Sequence, residues 1–325
     1  MKAVPDREIE KAVVILRSGG LVAFPTETVY GLGADALNPE AIKKIFAAKG
    51  RPQNHPLIVH LADASHLVLW AREIPVAAER LAERFWPGPL TLILRRAERV
   101  PDAITGGQDT VGLRVPSHPV AHALLQAFGS GIAAPSANRY GRLSPTTAEH
   151  VRAELGGRVD MILDGGSCDF GIESTIVDLS SSQATLLRPG KISASELEKV
   201  LGTPVGRPGP RSPRAPGTIA AHYAPQTPLQ VVSGKDLAET VRHFSALGKR
   251  AAVLAHRHAQ IDRANIIWFA APSQAAAYAR ELYAKLRRLD QYQYDVILVE
   301  QVPEGEEWDA VRDRLAKSAA PRVEI

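Results

Sequence analysis

Between residues 204 and 228 the chain places Pro204, Pro208, Pro210, Pro213, Pro216, Pro225 and Pro228, seven of its 24 prolines, with Gly206, Gly209 and Gly217 among them. Proline removes an amide donor and fixes φ, so neither a helix nor a central strand is expected there. This stretch divides the 325 residues into a longer N-terminal part and a shorter C-terminal part. Each part is long enough to bury its own core. The expected organisation is a first domain over 1–202, a Pro/Arg-rich linker over 203–228 and a second domain over 229–325.

The same stretch holds the excess charge. The chain nets +4, yet residues 199–235 contain Lys199, Arg207, Arg211, Arg214 and Lys235 and no acid, leaving the other 288 residues at −1, with 34 bases against 35 acids. The two folded parts therefore carry no broad basic face of the kind that grips nucleic acid. Taken by itself, a basic proline-rich stretch reads as a solvated linker. Hydrophobic residues at 45% and charged residues at 23% exclude disorder, collagen and coiled coil. The start MKAVPDREIEK is charged from its second residue, and no apolar run of membrane length follows. No leader and no membrane span are expected. A single cysteine, Cys168, leaves no partner for an internal disulfide. A cytoplasmic location fits that usage.

In the first domain, Asp6 to Arg17 has helical periodicity, and the apolar run 21–24 reads as a buried strand followed by a long polar loop. Asn38 then caps a helix that begins at Pro39, carries Ile42, Ile45 and Phe46 on one face, and ends with Lys49 before Gly50. Strands are expected at 57–61, 90–94, 111–115, 161–163, 174–179 and 184–188, with helices near 75–85, 119–129, 146–155 and 193–201. Strands outnumber helices and do not alternate with them, which predicts a mixed α/β sheet. After the linker, four apolar runs alternate with three helical patterns, which predicts a small Rossmann-like parallel α/β domain. Gly31-Leu32-Gly33 lacks a third glycine and opens no helix, so no dinucleotide site is expected.

Four segments hold polar residues that local structure does not require. PTETVYGLG (25–33) follows a buried strand, a common position for binding loops, and carries Thr26, Glu27, Thr28 and Tyr30. KGRPQNHPLIVH (49–60) brings Lys49, Arg51, His55 and His60. In TVGLRVPSHP (110–119), alternation turns Arg114 away from Val111, Leu113 and Val115, toward solvent or a cleft. APSANRYGRLSPT (134–146) offers Ser136, Asn138 and Ser144. Ser136 does not lie in a G-x-S-x-G elbow, which argues against a serine hydrolase. Gly106-Gly107-Gln108 matches the tripeptide of translation release factors, but three residues in 325 are expected by chance. His118 and His122 have the spacing of a helical metal pair but no third ligand, and no structural metal is expected.

In order and spacing, PTETVYGLG, KGRP with HPLIVH, TVGLRVP, APSAN with SPT, and IESTIVD with LLRPG resemble the YrdC-like domain of threonylcarbamoyl-AMP synthases over residues 8–200. APGTIAAHYAP (215–225), followed by a small α/β domain, is similar to the longer form named after the yeast Sua-five protein. Where relatives commonly carry a basic or aromatic stretch before His-Tyr, this chain has Thr218, Ile219, Ala220 and Ala221. The resemblance implies a YrdC-like mixed twisted sheet. It also implies conversion of L-threonine, bicarbonate and ATP to threonylcarbamoyl-AMP and pyrophosphate, with the product passed to a tRNA threonylcarbamoyltransferase. By motif position it implies Lys49, Arg51, Ser136 and Asn138 as the active-site tetrad. Thr28, His60, Ser136 and Ser174 would line the threonine pocket, and Arg114 is assigned to its carboxylate because a guanidinium binds a carboxylate through two parallel hydrogen bonds. Arg51, His55, Thr110, Ala134, Ser144, Arg188 and Tyr223 would contact ATP, with Mg²⁺ carried on the triphosphate. The linker, with its arginines and His222-Tyr223, becomes a cover for a labile intermediate. The rival from another class is a noncatalytic RNA-binding module of the same fold. The near-neutral first domain weighs against it and gives little support for direct tRNA binding.

Overall fold

The computed structural model describes residues 2–218, 223–256, 263–292 and 294–320. They form two compact units, one of residues 1–140 and 144–218, the other of 141–143 and the chain from 219 onward.

The first unit is built on nine strands: β1 (Val22–Phe24), β2 (Gly31–Asp35), β3 (Ile58–His60), β4 (Leu90–Arg95), β5 (Thr110–Arg114), β6 (Ile132–Ala133), β7 (Met161–Ile162), β8 (Thr175–Asp178) and β9 (Thr185–Arg188). Their order across the sheet is β7-β1-β2-β6-β3-β5-β4-β8-β9. Parallel pairs (β1/β7, β3/β5, β4/β8) and antiparallel pairs (β1/β2, β2/β6, β3/β6, β4/β5, β8/β9) are interspersed, so the sheet is mixed. The polar stretch after β1, expected to be loop throughout, contains β2. Its low strand propensity is overridden by close pairing. A Cβ at Gly33 would stand 2.8 Å from the Phe24 ring and 2.9 Å from Ile132, so only glycine lets these strands approach.

One face of this sheet carries the main core. Val59, Leu92, Leu113 and Val177 point there and pack with residues of the helices Pro39–Lys49, Val76–Phe85, Ala148–Leu155 and Ala194–Leu201. The helix Pro39–Lys49 starts as expected, with Asn38 accepting the amides of Glu40 and Ala41, and it ends at Gly50 in the left-handed region. The opposite face is divided. Toward β1 and β6 it is covered by the helices Asp6–Arg17 and Pro119–Phe128, which pack on Val22, Phe24 and Ile132. Toward β4, β5 and β8 that cover ends. Ile58, Ile93, Ile176 and Leu187 form a small separate cluster there, closed by Ala215 from the proline-rich stretch.

The first half of that stretch is therefore part of the first unit. Gly206 pairs with β9 through Gly206 N to Ala184 O (2.8 Å) and Leu186 N to Gly206 O (3.0 Å). Arg214 and Gln108 exchange bonds, main-chain N to Oε1 at 2.7 Å and Nε2 to main-chain O at 3.1 Å, and the Arg214 guanidinium donates to Gly106 O at 2.8 Å. The Gly-Gly-Gln tripeptide thus has a structural use here. Gly106 ends a short helix at φ 60°, where a Cβ would lie 2.3 Å from Asn54 O.

In the second unit β10 (Leu229–Val232), β11 (Ala251–Ala255), β12 (Ile266–Ala270) and β13 (Val296–Glu300) form an all-parallel sheet in the order β10-β13-β11-β12. The helices Leu237–Ala246, Ala275–Asp290 and Asp309–Ala319 accompany it, the three helical patterns expected between and after the strands.

Candidate active site

Residues side by side across a sheet share a face, and so do residues two apart along a strand. The pairs His60/Arg114, Ile58/Gly112, Ile93/Gly112, Thr91/Ile176 and Ile176/Arg188 therefore put His60, Arg114, Thr91 and Arg188 on the face whose helical cover ends. By the same period Thr110 shares that face with Arg114. Four strands thus bring polar side chains to one strip floored by isoleucines.

Arg114 does not face open solvent as alternation allowed. It is 4% exposed, because Glu27, 2% exposed, faces it. Its Nη2 donates to Glu27 Oε1 at 2.6 Å, its Nη1 to Thr28 Oγ1 at 2.9 Å and its Nε to Gly88 O at 3.2 Å. Glu27 was read in the polar loop but not placed among the expected site residues. Its partner lies on a strand 87 positions away, and no local spacing signals that pairing. Beside Arg114, the His60 ring meets Phe24 edge-on, and its buried Nδ1 has no hydrogen-bond partner among the described residues. Burial, and then the Arg114 charge, depress its pKa to about 3, so the ring is neutral at physiological pH.

The loop after β6 runs beside the loop that leads from β1 into β2. Ser136 bridges Gly31, and Ala137 N donates to Tyr30 O. Ala134 is fixed on β3 through its amide to Ile58 O at 2.9 Å. The helix Pro39–Lys49 delivers Lys49 to this loop. Its ammonium is buried and donates to the main-chain oxygens of Ser136 and of Asn138, the latter at 2.5 Å. Burial, reinforced by the nearby charge of Arg51, holds the Lys49 pKa well below the usual lysine range. Arg51 donates to Pro56 O at 2.9 Å. His55 stands edge-on to Tyr140 and is also depressed in pKa, by burial and then by Arg51 and Arg214. Lys49, Arg51, His55 and Arg214 make one basic corner.

On the other side of the strip, Ser174 Oγ pairs with Thr91 Oγ1 at 2.8 Å, while Arg188 donates to Ser174 through Nε (main-chain O, 3.0 Å) and Nη2 (Oγ, 3.0 Å) and to Pro216 O through Nη1 at 2.9 Å. Ser144 Oγ donates to Glu173 at 2.5 Å, a second buried carboxylate absent from the expected set. Tyr223 belongs to the second unit, where it takes a left-handed backbone conformation (φ 61°). The Arg314 guanidinium lies 5.3 Å from its ring centroid, and Ser318 Oγ donates to its main-chain oxygen at 2.7 Å. His222, with Ile219, Ala220 and Ala221, lies outside the described residues. His118 is the N-cap of the helix Pro119–Phe128, with Nδ1 accepting the Val120 amide. Among the described residues no group of three His, Cys, Asp or Glu side chains could hold a metal.

A strip of cations and small hydroxyls on a mixed sheet is suited to a substrate carrying several negative charges, as in nucleotide transfer. The family described as Telomere recombination, the Sua5/YciO/YrdC group, matches residues 14–190, and the family described as Threonylcarbamoyl-AMP synthase, C-terminal domain, matches residues 192–320. The chain is 42% identical to the threonylcarbamoyl-AMP synthase of Pyrococcus abyssi, over 98% of this chain and 96% of that protein. It is 41% identical to the one from Bacillus subtilis, over 98% and 94%. The crystal structure of P. abyssi Sua5 complexed with L-threonine superposes with a TM-score of 0.90 at 41% identity, covering 98% of this chain and 96% of that one. Escherichia coli YciO matches 58% of this chain and 92% of its own, with a TM-score of 0.52 at 28% identity. The chain belongs to the threonylcarbamoyl-AMP synthase family in its two-domain, Sua5-type form.

Proposed function

We propose that the polar strip of the first sheet joins L-threonine, bicarbonate and ATP into threonylcarbamoyl-AMP, releasing pyrophosphate, in the cytoplasm. The observation that carries this reading is the buried Lys49 ammonium, held on the main chain of the Ser136–Asn138 loop beside Arg51. Threonine's unprotonated amine takes up bicarbonate with loss of water, and an oxygen of the resulting carbamate attacks the α-phosphorus as pyrophosphate leaves. No covalent enzyme intermediate is needed, and positioning with electrostatic stabilisation suffices. Burial disfavours the charged form of Lys49, and each arriving anion favours it again. The ammonium therefore gains most when negative charge beside it is greatest, in the transition state.

Arg114 and Thr28 receive threonine's carboxylate end, with neutral His60 and Ser174 beside them. Ser136 and Asn138 complete the tetrad with Lys49 and Arg51. Arg51, His55, Thr110, Ala134, Ser144 and Arg188 form the nucleotide side, and Tyr223 is assigned to the nucleotide by motif position. Mg²⁺ fits this donor set as an ion carried by triphosphate oxygens and water, since the strip offers cations and hydroxyls in place of a carboxylate cage. Of the strap, residues 203–228, the described part up to residue 218 is assigned the shielding of the intermediate from water. Support comes from Ala215 packed on the isoleucine floor and Pro216 bound to Arg188.

The product passes to a transferase that modifies adenosine beside the tRNA anticodon. A noncatalytic RNA-binding role is not favoured, because relatives matched over nearly their whole length are named as synthases. No helix among the described residues is long and apolar enough to cross a membrane. The test is pyrophosphate release measured with threonine and bicarbonate each omitted in turn. Release that needs both supports the reading, and release indifferent to either overturns it.

A further inference from the structure

Glu27 and Arg114 form an ion pair whose side chains are 3% and 5% exposed. A buried ion pair is a poor source of stability, because desolvation of both ions offsets their attraction. The geometry points instead to orientation. Glu27 Oε1 accepts from Arg114 Nη2 at 2.6 Å while Oε2 accepts the Ser117 amide at 3.1 Å, so one carboxylate ties the guanidinium to the turn that follows β5. The loop carrying Glu27 is itself fixed, because its main-chain oxygen accepts the Phe170 amide at 2.8 Å. Gly88 O takes the Nε hydrogen and Thr28 takes one from Nη1. A guanidinium has five N–H groups, so one remains on each terminal nitrogen.

We propose that Glu27 is a positioning residue for threonine: by holding Arg114 from one side, it leaves the substrate carboxylate two N–H groups of fixed direction and a locally neutralised cation. This rests on the reading of Arg114 as the carboxylate's partner. Recognition then depends on donor geometry more than on net charge, which would set threonine apart from other small anions that the basic corner attracts.

Two substitutions test it. Glu27→Gln keeps one acceptor oxygen but turns an amide toward a hydrogen-bond donor. Glu27→Asp keeps the charge, so Arg114 is not left buried without a counter-ion, but it is one methylene too short to reach both partners. In each folded variant we expect threonine KM to rise by about tenfold or more, the loss of roughly one charge-assisted hydrogen bond, with ATP KM within about twofold of wild type. Calorimetry with L-threonine and L-threoninamide adds a readout that a scaffold role would not move. The wild-type preference for the carboxylate should shrink in both variants while threoninamide affinity holds. If Arg114→Ala raises threonine KM but neither Glu27 variant does, the inference fails and the reading of Arg114 stands. If Arg114→Ala leaves threonine KM unchanged, that reading fails first. Parallel losses of threonine and ATP binding in folded Glu27→Asp would make Glu27 part of the scaffold and overturn the proposal.

Discussion

Among the described residues, the strands of the four-stranded sheet bury only apolar side chains, including Val253, Leu254, Ile297, Leu298 and Val299. Those of the nine-stranded sheet bury His60, Thr91, Arg114, Thr175, Asp178 and Arg188 along with their aliphatic residues. Burying a polar group is unfavourable unless it is hydrogen-bonded. The first unit meets that requirement through long-range partners: Arg114 with Glu27, Arg188 with Ser174, and Lys49 with the main chain of another loop. The strands of the second sheet, among the described residues, avoid it. The difference marks the first sheet as the one that bears the cost of buried polar groups, and it separates two ways in which the protein can be damaged.

The sharpest test removes a buried cation of the first unit, Lys49. Lys49→Ala should lower turnover by about two orders of magnitude or more, the scale of one preorganised electrostatic contact, with the circular dichroism of folded protein. Steady-state pyrophosphate release near the wild-type rate would sink the role of Lys49. The complementary damage lies in the second sheet. Leu298→Ala should reduce stability by about 2–5 kcal/mol through a cavity in a fully buried strand. Both substrate KM values should stay near wild type. A selective loss of threonine binding in that variant would erase the distinction between the sheets.

Replacing residues 213–223 with a Gly/Ser segment of equal length removes Arg214, Ala215, Pro216 and Tyr223 while preserving reach. Weaker ATP binding by about tenfold and more free threonine and AMP per pyrophosphate are expected, as anchored charge-assisted contacts are lost. Wild-type values for both would return the strap to a simple tether. The smallest effect concerns His60. Its folded pKa of about 3 lies below the 6.5 of an exposed histidine, so in that interval the unfolded chain binds a proton that the folded one does not. Stability from this group is complete above the upper value and falls as pH drops toward the lower, by about 1.4 kcal/mol per pH unit at most. His60→Gln should flatten the denaturation profile between pH 6.5 and 5 relative to wild type. Identical slopes would show that His60 accepts its proton without penalty.

Local rules carried much of the architecture. The cap, first turn and end of the helix that delivers Lys49 follow from Asn38, Pro39 and Gly50, and the regular alternation after residue 228 announced the parallel sheet. β2 escaped because Gly31 and Gly33 have little strand preference, and their value lies in the approach of Phe24 and Ile132. Several residues named by motif order, among them His60, Arg114 and Arg188, share one face of the first sheet. Alternation showed that Arg114 leaves the apolar face, but it could not show what receives it. Glu27 and Glu173 are hidden for the same reason: each earns meaning from a partner brought in by the fold.

Ala215 is a small residue with a large dependency beneath it. It closes a patch formed by Ile58, Ile93, Ile176 and Leu187, and the chain must run past residue 202 to supply it. A version trimmed at that point would keep all nine strands yet present branched aliphatic side chains to water on the face that carries His60, Arg114 and Arg188. Such a fragment would tend to associate with itself through that face, and its aggregation would pass for a folding defect when the fold was sound. For anyone dissecting this enzyme, a cut that spares the patch has to fall after Ala215, nearer to Thr218, where the chain leaves the first unit.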